Sequence, residues 1–372
     1  MLDSRLKTLA EKLVNYSCSL KKGEKILIEA SHKVDENFLA ELVKQVYLVG
    51  GMPFVKIYSG IVGRAMAMGT SKEREEAKCK YDYPQMEDMD AYISIGVGNS
   101  FETSDVPREK LDLISKHYTV PVHFDSRVCR TKWVILLFPS PLYAQQAKMS
   151  TEAFEDFYLN VCTLDYAKMD RAMQPLADLM KRTDKVRIVA KNTDLTFSIK
   201  DIGAVKCSGK CNIPDGEVYS APVKDSVNGV IEYNIPVLSD NGVQHDKINL
   251  TFKDGKIIKA TSISKEDINK IFDIDEGARY VGEFAIGVNP YIDKPMLNIL
   301  YDEKIKGSIH FTPGSCYDDC NNGNKSAIHW DLIQVQTEEY GGGEIYFDDV
   351  LIRKDGRFVI DELMGLNPEN LI

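Results

Sequence analysis

The stretch Lys25–Tyr58, KILIEASHKVDENFLAELVKQVYLVGGMPFVKIY, decides the class of the first half of the chain. Lys25 to Ala30 is a short apolar run of strand length. Glu36 to Val49 then places Leu39, Leu42, Val43 and Val46 on one helical face. Gly50-Gly51 closes that helix, since glycine accepts the left-handed backbone on which helices commonly end. Pro53 to Tyr58 is a second strand. Strand, helix, strand in this order predicts a largely parallel sheet with helices packed on it.

The same alternation runs outward from this stretch. Leu2 to Val14 carries Leu6, Leu9, Ala10 and Leu13 at helical spacing. The charged run SKEREEAKCKYDY, from Ser71, suits a solvated helix. Ala91 to Val97 reads as a strand, Arg108 to Lys116 as a helix, and Val120 to Phe124 and Trp133 to Phe138 as further strands. Gly96–Gly98 (GVG) lacks the spacing of a phosphate-binding loop and reads as a tight turn. Met149 to Lys181 is a long helical stretch, expected to connect two domains, with a new helix starting near Gln174 at Pro175.

From about Val186 the pattern changes. VRIVAKNTDLTFSIKD, KINLTFKDGKIIKATSI and GEIYFDDVLIRKDGRFVI alternate apolar and polar residues. Asp254-Gly255 and Asp355-Gly356 each join two such runs, the signature of a tight hairpin. The expected organisation is an α/β N-terminal domain over residues 1–185 and a β-rich α+β catalytic domain over 186–372.

The chain has 372 residues, enough for two cores, with 46 basic and 56 acidic residues and a net charge of −10. That balance argues against a general nucleic-acid binder, which needs a basic surface. The opening MLDSRLKTLAEKLV mixes charge into its apolar positions, and no run is long and apolar enough for a membrane span. A cytoplasmic protein is expected. The eight cysteines are too sparse for a disulfide scaffold and read as reduced thiols. Cys207 with Cys211, and Cys316 with Cys320, are spaced by three residues, but neither pair sits in a ribbon-like module, so a structural zinc is not expected there.

Chemistry concentrates in the second half. His329-Trp330-Asp331 puts an imidazole and a carboxylate two residues apart, on one face if the segment is extended. His310 ends the run GSIHF. Glu217 and Glu283 each follow a glycine and sit among apolar or small residues. A carboxylate turned inward there needs a proton, a cation or a metal ion.

Four ordered segments make the reading specific: NIPDGEVYSAP from Asn212, GEFAIGVNP from Gly282, LYDEKIKGSIHFTPGSCY from Leu300 and NKSAIHWDL from Asn324. Together with NTDLTFSI and DSVNGVIEYNIPV they resemble the thermophilic-type metallo-aminopeptidases, peptidase family M29, over nearly the whole chain. The resemblance implies a homodimer that hydrolyses N-terminal residues from peptides with two divalent ions, often zinc or cobalt. It assigns Glu217, Glu283, His310, His329 and Asp331 to the metals and places Tyr317 near them; as catalytic groups, Glu217 or Glu283 could take the proton of the attacking water, and Tyr317 could be a ligand or stabilise the oxyanion. Phe311-Thr312-Pro313 and Cys316 depart from the smaller apolar residues of the family, a change expected to bear on substrate preference.

A mixed nitrogen and oxygen set of this kind suits zinc, cobalt or manganese. Two such ions about 3.5–4 Å apart can activate water and polarise a carbonyl together, while one of them anchors a free amine. The rival is a mononuclear non-haem iron dioxygenase on the same fold, using His310, His329 and Asp331 as a two-histidine, one-carboxylate triad. Glu217 and Glu283 would have no task in such a site.

Overall fold

The computed structural model of the chain describes residues 3–99, 101–239, 242–264 and 266–372. Leu2, the expected start of the first helix, lies outside them. The chain divides into two compact units. One comprises Met1–Thr163 with Gly209–Pro214, the other Leu164–Ser208 with Asp215–Ile372. This division differs from the expected boundary at residue 185. The helix Tyr166–Arg182 belongs to the second unit, and a short segment near residue 210 returns to the first.

The first unit is built on strands β1 (Lys25–Ser31), β2 (Met52–Tyr58), β3 (Ala91–Gly96) and β4 (Lys132–Leu137). All pairings are parallel, in the order β2-β1-β3-β4, as the opening stretch predicts. The helix Glu36–Leu48 joins β1 to β2. Asp35 caps it by accepting from Asn37 N–H at 2.7 Å, and Phe38, Leu39, Leu42 and Val46 are buried. Each such side chain contributes about 1.5–3 kcal/mol on leaving water.

Two expectations fail here. Val120–Phe124 is not a strand. The helix Arg108–Ile114 runs on into a wider coil, Ser115–Val128. Its β-branched residues are overridden by side-chain anchors: Tyr118 donates to Asp82 at 2.8 Å, and Arg127 pairs with Glu29 at 3.3 Å. Residues 149–181 are likewise two helices, Thr151–Cys162 and Tyr166–Arg182, and Pro175 lies inside the second. The break falls where Asp165 caps the new helix by accepting from Lys168 N–H at 2.9 Å.

After its helix Tyr166–Arg182, the second unit continues with β5 (Lys185–Ala190), β6 (Thr193–Ser198) and β7 (Val205–Cys207). The short β8 (Asn212–Ile213) pairs in parallel with β4 and so extends the sheet of the first unit. The second unit resumes with β9 (Glu217–Ser220), β10 (Asn228–Tyr233), β11 (Val237–Leu238), β12 (Gln244–Lys253) and β13 (Lys256–Ile263). It closes with β14 (Val281–Gly287), β15 (Ser308–Pro313), β16 (Ile333–Val335), β17 (Gly343–Phe347), β18 (Val350–Lys354) and β19 (Arg357–Phe358).

These strands form two antiparallel sheets. The larger runs β11-β12-β10-β6-β5-β17-β18-β19, with β13 on β12. Both aspartate-glycine hairpins are present in it. Asp254 and Gly255 have φ of 48° and 81°, Asp355 and Gly356 48° and 79°, as the tight hairpin turn demands. The smaller sheet runs β16-β15-β14-β9-β7. Phe197 of the larger sheet meets Phe284 and Phe311 of the smaller, each with ring centres 5.0 Å away. No described helix is long and apolar enough to cross a membrane.

Candidate metal centre

The smaller sheet presents its chemistry on one face. Strand side chains alternate, so register decides who meets whom. Glu217 on β9 lies opposite Gly287 on β14, and Ala285 on β14 lies opposite both Tyr219 on β9 and His310 on β15. Glu283, two residues further along β14, lies opposite Thr312. Glu217, Glu283, His310 and Thr312 therefore share a face, while Phe284 and Phe311 point to the aromatic core behind it. Ala285 and Gly287, between the functional side chains, are small and leave room for them. Every residue of β14 and β15 is buried.

The glycines before the two glutamates have physical reasons. Gly216 has φ of 142°, and a Cβ there would lie 2.9 Å from the Asn289 Cβ. Asn289 donates to the Asp215 carbonyl at 2.7 Å and so pins the entry to β9. A Cβ on Gly282 would lie 2.2 Å from the Ser315 carbonyl oxygen, so only glycine lets that loop pass.

The loop after β15 supplies the remaining groups. His329 forms a single antiparallel bridge with Gly314, and Trp330 and Asp331 join no regular strand. Its Nε2 lies 3.3 Å from Asp331 Oδ1 and 3.1 Å from Glu283 Oε2. His310 Nε2 lies 3.2 Å from Glu283 Oε1 and 3.7 Å from Glu217 Oε2. Glu283 is thus shared. Two sets of ligating atoms arise, Glu217-Glu283-His310 and Glu283-His329-Asp331, each with its atoms within 4.8 Å of one another. The Tyr317 ring centre is 4.7 Å from that of His329 and 5.6 Å from that of Tyr219. The six residues singled out from the sequence are thereby brought together.

Hydrogen bonding fixes how the imidazoles face the carboxylates. His329 Nδ1 donates to the Ser315 carbonyl at 2.7 Å, and His310 Nδ1 to the Glu303 carbonyl at 3.2 Å. A neutral ring so held turns its Nε2 lone pair toward the carboxylates. Lone pair against carboxylate is repulsive unless a cation lies between them. His329 Nε2 and Glu217 Oε2 are buried with no hydrogen-bond partner, although carboxylate or imidazole atoms lie close by. Donors and acceptors arranged in this way fit a divalent ion.

In the protein alone, a proton on each ring takes the place of that cation. Burial works to lower both histidine pKa values, yet Glu217 and Glu283 lift His310 to about 10, and Asp331 and Glu283 lift His329 to about 11. Burial works to raise the Glu283 and Asp331 carboxyls, and the histidines outweigh it and hold both below the ordinary range. The face attracts positive charge strongly.

Several functional neighbours were missed in the sequence. Thr312 Oγ1 donates to Asp331 Oδ1 at 2.8 Å. This departure from the family pattern therefore reaches the metal centre and not the substrate alone. Phe311 lies in the aromatic core, and Cys316 Sγ contacts the Asn324 carbonyl at 3.2 Å. Asp215, Glu303 and Lys304 also crowd the site, with the Lys304 ammonium 3.1 Å from Glu217 Oε1. All three lie inside the quoted motifs, but a lysine among ligands carries no metal-binding signal. Among the described residues, no metal-capable group unites two cysteines; Cys207 alone joins one, with Asp215 and Glu217.

The pattern of the thermophilic metalloprotease family, M29, matches residues 2–358. The chain belongs to that family. As a metalloprotease it requires a metal ion, and the face just described has the donors to hold one. This M29 chain is 24% identical over 388 residues to "Aminopeptidase AmpS" of Bacillus subtilis (strain 168), covering 90% of each chain. It is 31% identical over 165 residues to "Aminopeptidase 2" of Geobacillus stearothermophilus, covering 39% of this chain and 37% of that one. Its fold matches that of wild-type AmpT from Thermus thermophilus with a TM-score of 0.78 at 20% identity, over 96% of this chain and 99% of the other. A 2,5-dihydroxypyridine dioxygenase from Pseudomonas putida KT2440 shares the fold at a TM-score of 0.63 and 12% identity, over 98% and 99% of the two chains.

Proposed function

We propose that this metalloprotease is an aminopeptidase that removes residues from the free N-termini of peptides at a centre for two divalent ions. The sharing of Glu283 between two ligand sets is the observation that carries the reading. One carboxylate reaching two metal positions is how a protein holds a pair of ions side by side. The relatives that match the chain, AmpS and Aminopeptidase 2, bear aminopeptidase names.

In this reading Glu217, Glu283 and His310 hold one ion, and Glu283, His329 and Asp331 hold the other. The donor set suits zinc, cobalt or manganese. When bound, the pair polarises the scissile carbonyl, activates the attacking water and anchors the substrate's free amine. The chain's own groups do the rest. The Ser315 and Glu303 carbonyls fix the imidazole tautomers, and Thr312 orients Asp331. Glu217 or Glu283 accepts the proton of the attacking water. Tyr317, lying against His329, completes the metal shell or donates to the oxyanion. The enzyme acts as a cytoplasmic homodimer.

The dioxygenase reading needs His310, His329 and Asp331 in one triad. The two histidines instead fall in separate ligand sets joined by Glu283. The test pairs metal counting with a matched peptide pair. Two ions per chain are expected. A peptide with a free amine, a fraction of which is neutral near pH 7.7–8.0 and free to ligate, is expected to be cut from its N-terminus. Its N-acetylated twin should be cut at least about 100-fold more slowly, the loss that outer contacts to metal sites already produce. Equal cleavage of both, or internal cuts by mass spectrometry, would rule out an aminopeptidase. One iron per chain with ring-opening activity would establish the dioxygenase.

A further inference from the structure

Lys304 is fully buried, at 0% exposure. Its ammonium lies 3.1 Å from Glu217 Oε1 and 3.7 Å from Asp215 Oδ1, and contacts Glu303 Oε1. Burying an ammonium is costly unless carboxylates face it in good geometry, and here three do. The position has a second property. Cys207 on β7 pairs in register with Glu217 on β9, so its thiol falls on the same face. Cys207, Asp215 and Glu217 offer ligating atoms within 4.8 Å of one another, a third metal-capable group beside the two of the centre.

We propose that Lys304 is the built-in cation of this third position: it takes the place that Cys207, Asp215 and Glu217 would otherwise offer to a metal ion. In doing so it engages Glu217 by Oε1 and leaves Oε2, the atom without a hydrogen-bond partner, for the neighbouring centre. Lys304 is thus a positioning residue that makes Glu217 a one-oxygen ligand and limits the chain to two ions. The inference rests on the two-ion reading above.

The test is cobalt(II) titration of metal-free protein, with ion counting and absorbance. Thiolate bound to cobalt gives an intense near-ultraviolet charge-transfer band that carboxylate and imidazole ligands do not. Wild-type protein is expected to take two ions with no such band. Lys304→Ala, refolded with cobalt present, is expected to take three ions and gain the band, and Lys304→Ala with Cys207→Ser to lose it again. Two ions and no band in folded Lys304→Ala overturns the lysine proposal and leaves the two-ion centre standing. If that variant does not fold, Cys207→Ser alone decides. Retention of two ions supports the lysine as occupant, and loss of one ion, or a thiolate band in the wild type, overturns it. Wild-type protein that takes up no ion overturns both readings.

Discussion

Of the two sets proposed to hold ions, Glu283 serves both and Glu217 one, and their variants separate accordingly. Glu217→Gln removes a charge from one of the two ion-holding sets and is expected to bind one ion in place of two. Glu283→Gln weakens both sets and is expected to bind neither tightly. Both should lower turnover by at least about 100-fold, since even outer-shell changes at metal sites cost 10–100-fold. Metal counting on the purified variants separates the two cases; equal stoichiometry would show that Glu283 is not shared. Thr312→Val tests the outer contact. It removes the 2.8 Å hydrogen bond to Asp331 while keeping the branched shape. Metal affinity, read by competition with a chelator, should fall about 10–100-fold. An unchanged affinity would make Thr312 a packing residue. At this scale the ligand residues were legible because their types and order match a family motif. Lys304 and Thr312 were not, since what they do depends on which strand lies beside them.

The segment between β14 and β15 holds a carboxyl that is poor at ionising. Asp302 accepts from the backbone N–H groups of Met296 at 2.6 Å and Asn298 at 3.2 Å, yet burial lifts its pKa from 3.8 to about 7. Between these values the folded chain keeps a proton that the unfolded chain has released. This contribution to stability is full below 3.8 and is lost as the pH rises to about 7. Asp302→Asn keeps an acceptor without the titration. Its melting temperature relative to the wild type should therefore be higher at pH 8 than at pH 4. An offset that does not change with pH would mean Asp302 ionises normally. Elements themselves were legible where local signals are strong. The alternation in 25–58 and the two aspartate-glycine turns gave the right strands and hairpins. Val120–Phe124 misled because its β-branched residues are held in a coil by Asp82 and Glu29, contacts no local pattern encodes. Pro175 misled because the helix around it accommodates a proline.

For the molecule as a whole, bound metal should act as a fold stabiliser. The ligands come from β9, β14, β15 and the loop after them, so an ion binds only when those elements are assembled. A ligand that binds only the folded state adds about 2.7 kcal/mol when present at a hundred times its dissociation constant. Dialysis against a chelator should lower the melting temperature by several degrees, and returning zinc or cobalt should restore it. No change on chelation would mean that the ions do not tie these strands together. Fold class was legible at this scale because the pattern shifts from helix-rich to strand-rich alternation. The division into units was not, because it depends on a segment of six residues, Gly209–Pro214, that lies far along the chain from the unit it joins.

That segment sets an order of events during synthesis. Domains generally begin to fold as they leave the ribosome, the N-terminal one first. Here the last strand of the first unit's sheet, β8, is made only after the helix Tyr166–Arg182 and strands β5, β6 and β7 have been translated. Until then β4 is an open edge strand, with its unpaired backbone groups available to another chain. A nascent fragment ending at Thr163 therefore carries β1 to β4 without β8, and its bare β4 edge is expected to be a point of contact for a chaperone or for another chain.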